Sequence, residues 1–136
     1  MLPKFRSWDK IIRRMCEVIS INFENKLVVY KDWEYGISDE IPFGDVEFLQ
    51  STGLFDRNGK EIYEGDIIDK GYSNLDIVDR IGYVKFGTGY DSDGYLNQEW
   101  LGWTTNNDDS LLDVHEHCTV LGNKFENREL LDYDSE

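Results

Sequence analysis

The run at residues 51–68, STGLFDRNGKEIYEGDII, constrains the fold more than any other part of the chain. Residues 56–59 carry turn chemistry, because Asp and Asn side chains can bond nearby backbone groups and Gly59 accepts a positive φ. Hydrophobic residues flank this turn on both sides, as is typical of a β-hairpin. Gly65-Asp66 is a second turn signal, and the β-branched pair Ile67-Ile68 favours a strand directly after it. The run therefore predicts a hairpin followed by a further strand.

Short β-prone segments separated by polar turns continue through the rest of the chain. We expect an N-terminal β-hairpin with strands at residues 15–23 and 27–30 around a turn at 24–26. Residues 87–94 and 104–110 are interpreted as polar loops, and Asn127 as the cap of a short terminal helix. Further short strands are expected at residues 45–49, 81–86, 95–103 and 119–121, with one helical turn at 111–112.

Three segments, in the right order along the chain, resemble the signatures of the YopX family of phage and prophage proteins. Residues 4–9 (KFRSWD) resemble the opening motif, 52–67 (TGLFDRNGKEIYEGDI) the central motif and 120–131 (VLGNKFENRELL) the closing motif. Residues 72–79 and 87–97 match no motif. The resemblance implies a mainly β fold with an SH3-like barrel, but it implies no activity, because none is established for the family.

These observations together predict one domain over residues 1–136. We expect a hairpin segment at residues 1–50, an SH3-like barrel at 51–136 and short helices in addition. A chain of 136 residues fits a single domain. It has no apolar run long enough to span a membrane and no signal-peptide pattern, so we expect a protein of the bacterial cytoplasm. Cys16 and Cys118 are too few for a disulfide framework.

The charge is large and unevenly distributed. The net charge is −14, from 28 acidic and 14 basic residues. Residues 1–31 hold seven bases against three acids, a net of +4, and the remainder holds seven bases and 25 acids, a net of −18. One interpretation is a solvated acidic surface that maintains solubility. The other is that the basic start docks on an acidic face, in the same subunit or the next. The acidic remainder would repel phosphate, so we expect no direct binding to nucleic acid.

No pattern in the chain indicates a metal site or a cofactor. The Asp56-x-Asn58-x-Lys60 spacing fails as a calcium loop, because Lys60 and Glu61 stand where an oxygen ligand and a glycine are needed. His115-Glu116-His117-Cys118 is a cluster of soft ligands, yet its spacing is not that of a zincin or a zinc deaminase. We therefore interpret these histidines as ordinary surface residues before a strand.

The candidate binding residues are aromatic or acidic. Trp100 and Trp103 could line a surface for a ligand or partner, since aromatic residues are enriched at binding hot spots; the alternative is core packing. In the central motif the candidates are Glu61, Tyr63, Glu64 and Asp66, for which turn and barrel chemistry is the alternative explanation. No nucleophile elbow occurs, and carboxylates are so abundant that no catalytic residue is assigned.

Three hypotheses about function follow. The first is a non-catalytic phage or prophage accessory protein that acts by binding, as a homo-oligomer or with a phage or host protein. The second is an acidic mimic of nucleic acid that inhibits a host DNA-processing or defence enzyme. The third is a small enzyme with an unrecognised site.

Overall fold

The computed structural model describes residues 4–71, 80–90, 99–107 and 109–135, which form a mainly β, antiparallel structure. The chain divides into two compact units, Met1–Ser51 and Thr52–Glu136. We call them unit 1 and unit 2. The expectation of a mainly β fold is confirmed, whereas the division of one domain into a hairpin segment and a barrel stays a prediction.

Unit 1 is built on an antiparallel sheet with the order β4-β3-β2-β1-β6, and β5 pairs with β3 beside it. A 3-10 helix, Phe43–Asp45, leads into β6, which begins in unit 1 and ends in unit 2. The strands are β1 (Phe5–Asp9), β2 (Arg14–Asn22), β3 (Leu27–Asp32), β4 (Gly36–Ile37), β5 (Ile41–Pro42) and β6 (Val46–Phe55).

The N-terminal hairpin forms between β2 and β3, as the sequence predicts. The turn between the strands is closed by Asn22, whose Oδ1 accepts a hydrogen bond of 3.0 Å from the N–H of Asn25. Lys26 adopts a positive φ of 57° in this turn. Alternate residues of the strands then face a small core that contains Cys16, Val28, Tyr30 and Val46.

Unit 2 contains a four-stranded antiparallel sheet with the order β10-β9-β8-β11, and β7 pairs with β6. A single helical turn, α1 (Leu111–Val114), and a terminal 3-10 helix, Arg128–Ser135, complete the unit. The strands are β7 (Glu61–Tyr63), β8 (Asp66–Asp69), β9 (Ile81–Tyr90), β10 (Glu99–Thr105) and β11 (Thr119–Asn123).

The core of unit 2 collects side chains from β7, β8, β9 and α1. It buries Ile62, Ile68, Val84, Leu111, Val114 and Cys118, with Leu54, Trp103 and Val120 packed against it. Fully burying one such aliphatic side chain stabilises a fold by about 1.5 to 3 kcal/mol. This small core therefore supplies much of the driving force for unit 2.

An ion pair between a buried lysine and a partly exposed aspartate lies directly after β8. The Lys70 side chain is fully buried, and its ammonium pairs with Asp109 and donates to the Oδ1 of Asn107 at 3.0 Å. Thr104 and Thr105 are also buried, and the Thr104 hydroxyl donates to the carbonyl of Asp109 at 2.7 Å. Thr104 and Thr105, expected in a loop, thus end β10, and Asn107 and Asp109 beyond them bind the lysine.

The central turn forms at residues 56–59 as predicted. Asp56 accepts hydrogen bonds of 2.9 Å at Oδ1 from the N–H groups of Asn58 and Lys60. Its Oδ2 accepts a third bond, also 2.9 Å, from the N–H of Val120 in β11. Gly59 has a φ of +80°, which a residue with a Cβ adopts only under strain. One carboxylate therefore shapes the turn and ties it to a distant strand.

One expectation is not confirmed, and two others need correction. The SH3-like barrel is not confirmed, because the described strands of unit 2 form an open sheet and no closed barrel is present among them. Residues 87–90 belong to β9 and are not a loop, while 91–98 lie outside the described residues. The Oδ1 of Asn127 accepts from the N–H of Asn123 at 3.1 Å, so this side chain is directed back to the end of β11.

Within the described residues, no helix is long and apolar enough to cross a membrane.

We predict that Asp56→Asn lowers the free energy of unfolding by roughly 2 to 4 kcal/mol at neutral pH, since three donors lose a charged acceptor. Burial alone raises the pKa of Asp56, but hydrogen bonds from Val120, Lys60 and Asn58 lower it below its ordinary value. A carboxyl with a depressed pKa stabilises the fold above the unfolded pKa of about 4. That contribution is lost as the pH falls through the folded pKa.

Urea unfolding at neutral pH and near pH 3 measures this effect, as the difference between wild type and the variant. The difference in free energy of unfolding between wild type and Asp56→Asn should become smaller at the lower pH. Asp39→Asn is the matched control, because Asp39 is exposed. A variant as stable as this control at neutral pH would contradict the role of Asp56.

Candidate functional site

The candidate residues of the central motif lie in and after β7. Glu61, Tyr63 and Glu64 are partly buried, and Asp66 is fully buried at the start of β8. The Oδ2 of Asp66 accepts a hydrogen bond of 2.8 Å from the N–H of Tyr63. Between them, the N–H of Gly65 donates to the carbonyl of Val84 at 2.7 Å. Asp66 therefore closes the β7–β8 turn, and ligand binding by these four residues stays a prediction.

The two candidate tryptophans lie in β10. Trp103 is partly buried, packs against the core of unit 2 and meets Phe86 edge to face, with ring centroids 5.2 Å apart. This placement supports the core-packing interpretation for Trp103. The backbone of Trp100 pairs with Gly89 of β9, and its side chain lies outside the described residues.

The soft-ligand cluster does not converge on one point. The Nδ1 of His115 lies 2.9 Å from the carbonyl oxygen of Phe55, and His117 is exposed. Burial, together with the nearby Asp56 carboxylate, raises the pKa of the Cys118 thiol to about 12. A metal ligand needs the thiolate, which this environment disfavours. Within residues 4–71, 80–90, 99–107 and 109–135, no group of three potential ligands could hold a metal ion.

A different set of residues gathers at one end of the sheet of unit 1. The β1–β2 turn connects Asp9 to Arg14, and β3 ends at Asp32 beside the start of β2. Because neighbouring strands are antiparallel, the β1–β2 and β3–β4 turns lie at the same end. We call the residues that this end presents the turn surface: Ile11, Ile12, Arg14, Trp33 and Tyr35.

The centre of the turn surface is a guanidinium between two aromatic rings. The Cζ of Arg14 lies 5.5 Å from the ring centroid of Trp33 and 5.0 Å from that of Tyr35. Both distances fall within the range of cation–π attraction. Trp33 is 84% exposed and Tyr35 is 71% exposed, so the outer parts of both rings face solvent.

A buried carboxylate orients this arrangement. The Oδ1 of Asp32 accepts from the Nε of Arg14 at 2.7 Å, and its Oδ2 accepts from the N–H groups of Glu34 and Tyr35 at 3.0 and 2.8 Å. Burial alone raises the pKa of Asp32, but the Arg14 and backbone hydrogen bonds lower it below its ordinary value. Glu34 also pairs with Arg14, at 2.9 Å. The Asp32 side chain that holds the guanidinium is therefore ionised at neutral pH.

A second buried carboxylate shapes the neighbouring turn. The Oδ1 of Asp9 accepts from the N–H groups of Ile11 and Ile12 at 2.8 and 3.1 Å. The hydroxyl of Tyr30 in β3 donates to the Oδ2 of Asp9. Burial and this hydrogen bond raise the pKa of Tyr30 above its ordinary value. Both turns of the surface are therefore fixed by aspartates buried in the end of the sheet.

The turn surface has the composition of a binding hot spot. Trp, Tyr and Arg are the residue types most enriched where a few side chains dominate binding energy. Ile11, 70% exposed, and Ile12, 44% exposed, add apolar area in the neighbouring turn at the same end of the sheet. Lys10 and Arg13 in the same turn are exposed and basic. The arrangement can bury an apolar segment at its centre and attract acidic groups at its rim.

Sequence reasoning missed the turn surface because residues 32–44 lack a regular pattern. A signal was nevertheless present. Asp32 followed by Trp33 and Tyr35 places two large aromatic residues in a turn that ends at Gly36, where a polar loop is usual. The cation that joins them comes from β2 and is brought there by strand pairing.

Comparison with known proteins identifies a family and a fold. The family described as YopX protein matches residues 4–132. The crystal structure of protein EF1440 from Enterococcus faecalis is similar, with a TM-score of 0.57 and 24% identity, covering 96% of this chain and 99% of that one. At this identity the likeness shows the fold alone. No curated protein matches the chain.

We predict that both thiols are protected in the folded protein. Cys16 and Cys118 are 2% and 0% exposed, and the thiol, unlike the thiolate, is a poor nucleophile. An aromatic disulfide reagent near pH 8 should therefore modify neither cysteine until the chain is denatured in urea, when both should react. Rapid reaction of Cys118 under native conditions would contradict its raised pKa.

We predict that Asp32→Asn lowers the free energy of unfolding by roughly 1.5 to 3 kcal/mol, because a buried charged acceptor is lost. Glu34→Gln is the matched control, since it removes the other partner of Arg14 at a half-exposed site and should cost less than about 1 kcal/mol. Urea unfolding measures both. The indole N–H resonance of Trp33, assigned with Trp33→Phe, should shift in the first variant more than in the second. Equal shifts would show that Asp32 does not orient the surface.

Proposed function

The chain belongs to the YopX family, and we propose that it is a non-catalytic phage or prophage accessory protein that acts by binding in the cytoplasm of the bacterial host. Its docking surface is the turn surface of unit 1, and its partner is a second copy of the same chain. The observation that carries the proposal is the guanidinium of Arg14 held between the exposed rings of Trp33 and Tyr35.

Preorganisation supports a role in binding. Association is opposed by the entropy of immobilising interface side chains, about 0.5 to 1.5 kcal/mol for each flexible one. Asp32 and Glu34 already restrain Arg14, and cation–π attraction restrains the two rings. Much of the entropy cost of immobilising these side chains therefore falls on folding, and less of it opposes the binding of a partner.

The charge distribution supports a second copy as the partner. Residues 1–31, which include Lys10 and Arg13, have a net charge of +4, and the remaining residues have a net charge of −18. A surface with Arg14 at its centre and Lys10 and Arg13 in the adjacent turn would attract acidic groups, and the acidic remainder of a second copy supplies them. Attraction between exposed charges is screened beyond about 8 Å at physiological salt. Such an assembly should therefore weaken as salt is added.

We predict a discrete oligomer by native mass spectrometry and sedimentation. Trp33→Ser should raise the dissociation constant of this oligomer by about 30-fold or more, which corresponds to the loss of a hot spot worth about 2 kcal/mol. The matched control is Phe23→Ser, because Phe23 is a 74% exposed aromatic residue in the β2–β3 turn at the opposite end of the sheet. Sedimentation in about 1 M salt should show partial dissociation of the wild type.

Three outcomes would overturn this proposal. A monomer at all concentrations excludes the second copy, and an oligomer that Trp33→Ser leaves intact excludes the turn surface. An unchanged mass in high salt excludes assembly through charge. A co-purifying phage or host protein released by Trp33→Ser would instead support the same surface with a different partner.

The net charge of −18 over residues 32–136 favours a second candidate function, the acidic mimic of nucleic acid. A mimic needs exposed carboxylates spaced like phosphates on one face. Asp32, Asp56 and Asp66 are buried in turns, so they do not contribute to such a face. Binding to a host DNA-processing protein that duplex DNA displaces would support the mimic, and carboxylates scattered over the surface would exclude it.

The SH3-like barrel remains part of the proposal for unit 2. The resemblance of the central and closing motifs supports it, together with the short antiparallel strands of the sheet β10-β9-β8-β11. A barrel requires the two outer strands of this sheet to be joined through further pairing. An experimental structure that leaves β10 and β11 as free edges would exclude it.

A further inference from the structure

A cavity of about 330 Å³ opens in unit 2, and none of the residues singled out in the central motif lines it. Its lining combines two cations with aromatic and aliphatic walls. Cavities of roughly this size upwards accommodate small organic ligands. The lining residues are Tyr83 of β9, Lys124 and Phe125 after β11, and Arg128 and Leu131 of the terminal 3-10 helix.

Hydrogen bonds fix the turn that carries Lys124 and Phe125. The Oδ1 of Asn123 accepts from the N–H groups of Phe125 and Glu126 at 3.0 and 2.9 Å. The N–H of Lys124 donates to the carbonyl of Gly65 at 2.8 Å, which ties the turn to the start of β8. The backbone that presents these two side chains is thus held on both sides.

The opposite wall is fixed in a similar way. The N–H of Tyr83 donates to the Oδ1 of Asn106 at 2.8 Å, and its carbonyl accepts from the N–H of Asn106 at 3.1 Å. Gly82 beside it lies so close to the Asn106 and Asn107 side chains that an added Cβ would come within 2.7 and 2.6 Å of their Oδ1 atoms. The pocket therefore lies between two braced segments.

The ammonium of Lys124 lies within cation–π distance of both rings. Its Nζ lies 5.4 Å from the ring centroid of Tyr83 and 5.3 Å from that of Phe125. Arg128 brings a second cation to the same cavity. The adjacent acid, Glu126, is directed to Asn123, with its Oε1 3.4 Å from Nδ2. In a chain with a net charge of −14, both charged residues of this cavity lining are cations.

We propose that this pocket binds a small organic anion with a planar body, the chemical class to which a nucleoside monophosphate belongs. Lys124 and Arg128 hold the anionic group through charge-assisted hydrogen bonds. Tyr83, Phe125 and Leu131 contact the planar body, which gains from stacking and apolar burial. A bare inorganic anion would leave most of the cavity and all of its apolar wall unused. A nucleic-acid polymer is disfavoured by the acidic remainder of the chain.

The test is calorimetric titration of the intact protein with three probes: AMP, adenosine and inorganic phosphate. AMP should bind at least tenfold more tightly than either of the others, because it alone supplies both the anion and the ring. Lys124→Met keeps the apolar stem but removes the charge, and it should weaken AMP binding by about tenfold. Arg128→Gln should act in the same direction, and moderate salt should weaken binding by wild type.

The matched control is Lys85→Met, which removes one positive charge from β9, the strand of Tyr83, at a residue that does not line the cavity. It should leave AMP binding within about twofold of wild type. Thermal unfolding of all three variants verifies that they fold. Amide resonances then locate the ligand, and AMP should shift the signals of Lys124, Phe125 and Arg128 most.

Several results would overturn the proposal. Absence of AMP binding by folded wild type excludes the ligand class. Adenosine binding as tightly as AMP excludes the role of the cations, and phosphate binding as tightly as AMP excludes the planar body. If Lys124→Met and Lys85→Met weakened AMP binding equally, the binding would come from general attraction by the chain's positive charges and not from this pocket.

Discussion

The structure depends on buried side-chain oxygens that accept hydrogen bonds from the backbone N–H groups of turns. Asp9, Asp32, Asp56 and Asp66 do so with carboxylates, and Asn123 does so with its amide. All five residues are less than 9% exposed. A mainly β chain with short strands has many turns and little core per turn, so each turn needs a strong local bond. A charged acceptor that is buried and bonded to two or three donors supplies it.

These buried turn acceptors affect how the acidic composition is interpreted. Some of the carboxylates that contribute to the net charge of −14 are buried and structural. Fewer acidic groups are therefore exposed on the surface than the composition implies. The buried acceptors also connect the turns to the two candidate binding surfaces. Asp32 fixes the turn that presents Trp33 and Tyr35, and Asn123 fixes the turn that presents Lys124 and Phe125. In both cases the buried acceptor is structural, and the residues after it are available for contact.

Local chemistry in the sequence was enough to predict the central turns and several of the strands, but not the surfaces. Asn-Gly at 58–59 and Gly-Asp at 65–66 specify their turns through φ and nearby hydrogen bonds, which depend on adjacent residues. The pairing of Arg14 with Trp33, or of Tyr83 with Lys124, joins residues far apart in sequence and follows from strand pairing. The same limit applies to residues 87–90 and 104–105, where strand pairing between β9 and β10 overrides a polar, glycine-rich composition.

The family motifs therefore carry two kinds of information. In the central motif, Asp56 and Asp66 use their side chains for turns, and Ile62 fills the core of unit 2. Such residues explain a shared fold without implying a shared ligand. The closing motif differs, because after Asn123 it places a lysine, a phenylalanine and an arginine on one cavity. The core needs neither cation there, and burying them would cost free energy, so a partly open pocket is where their charge can act.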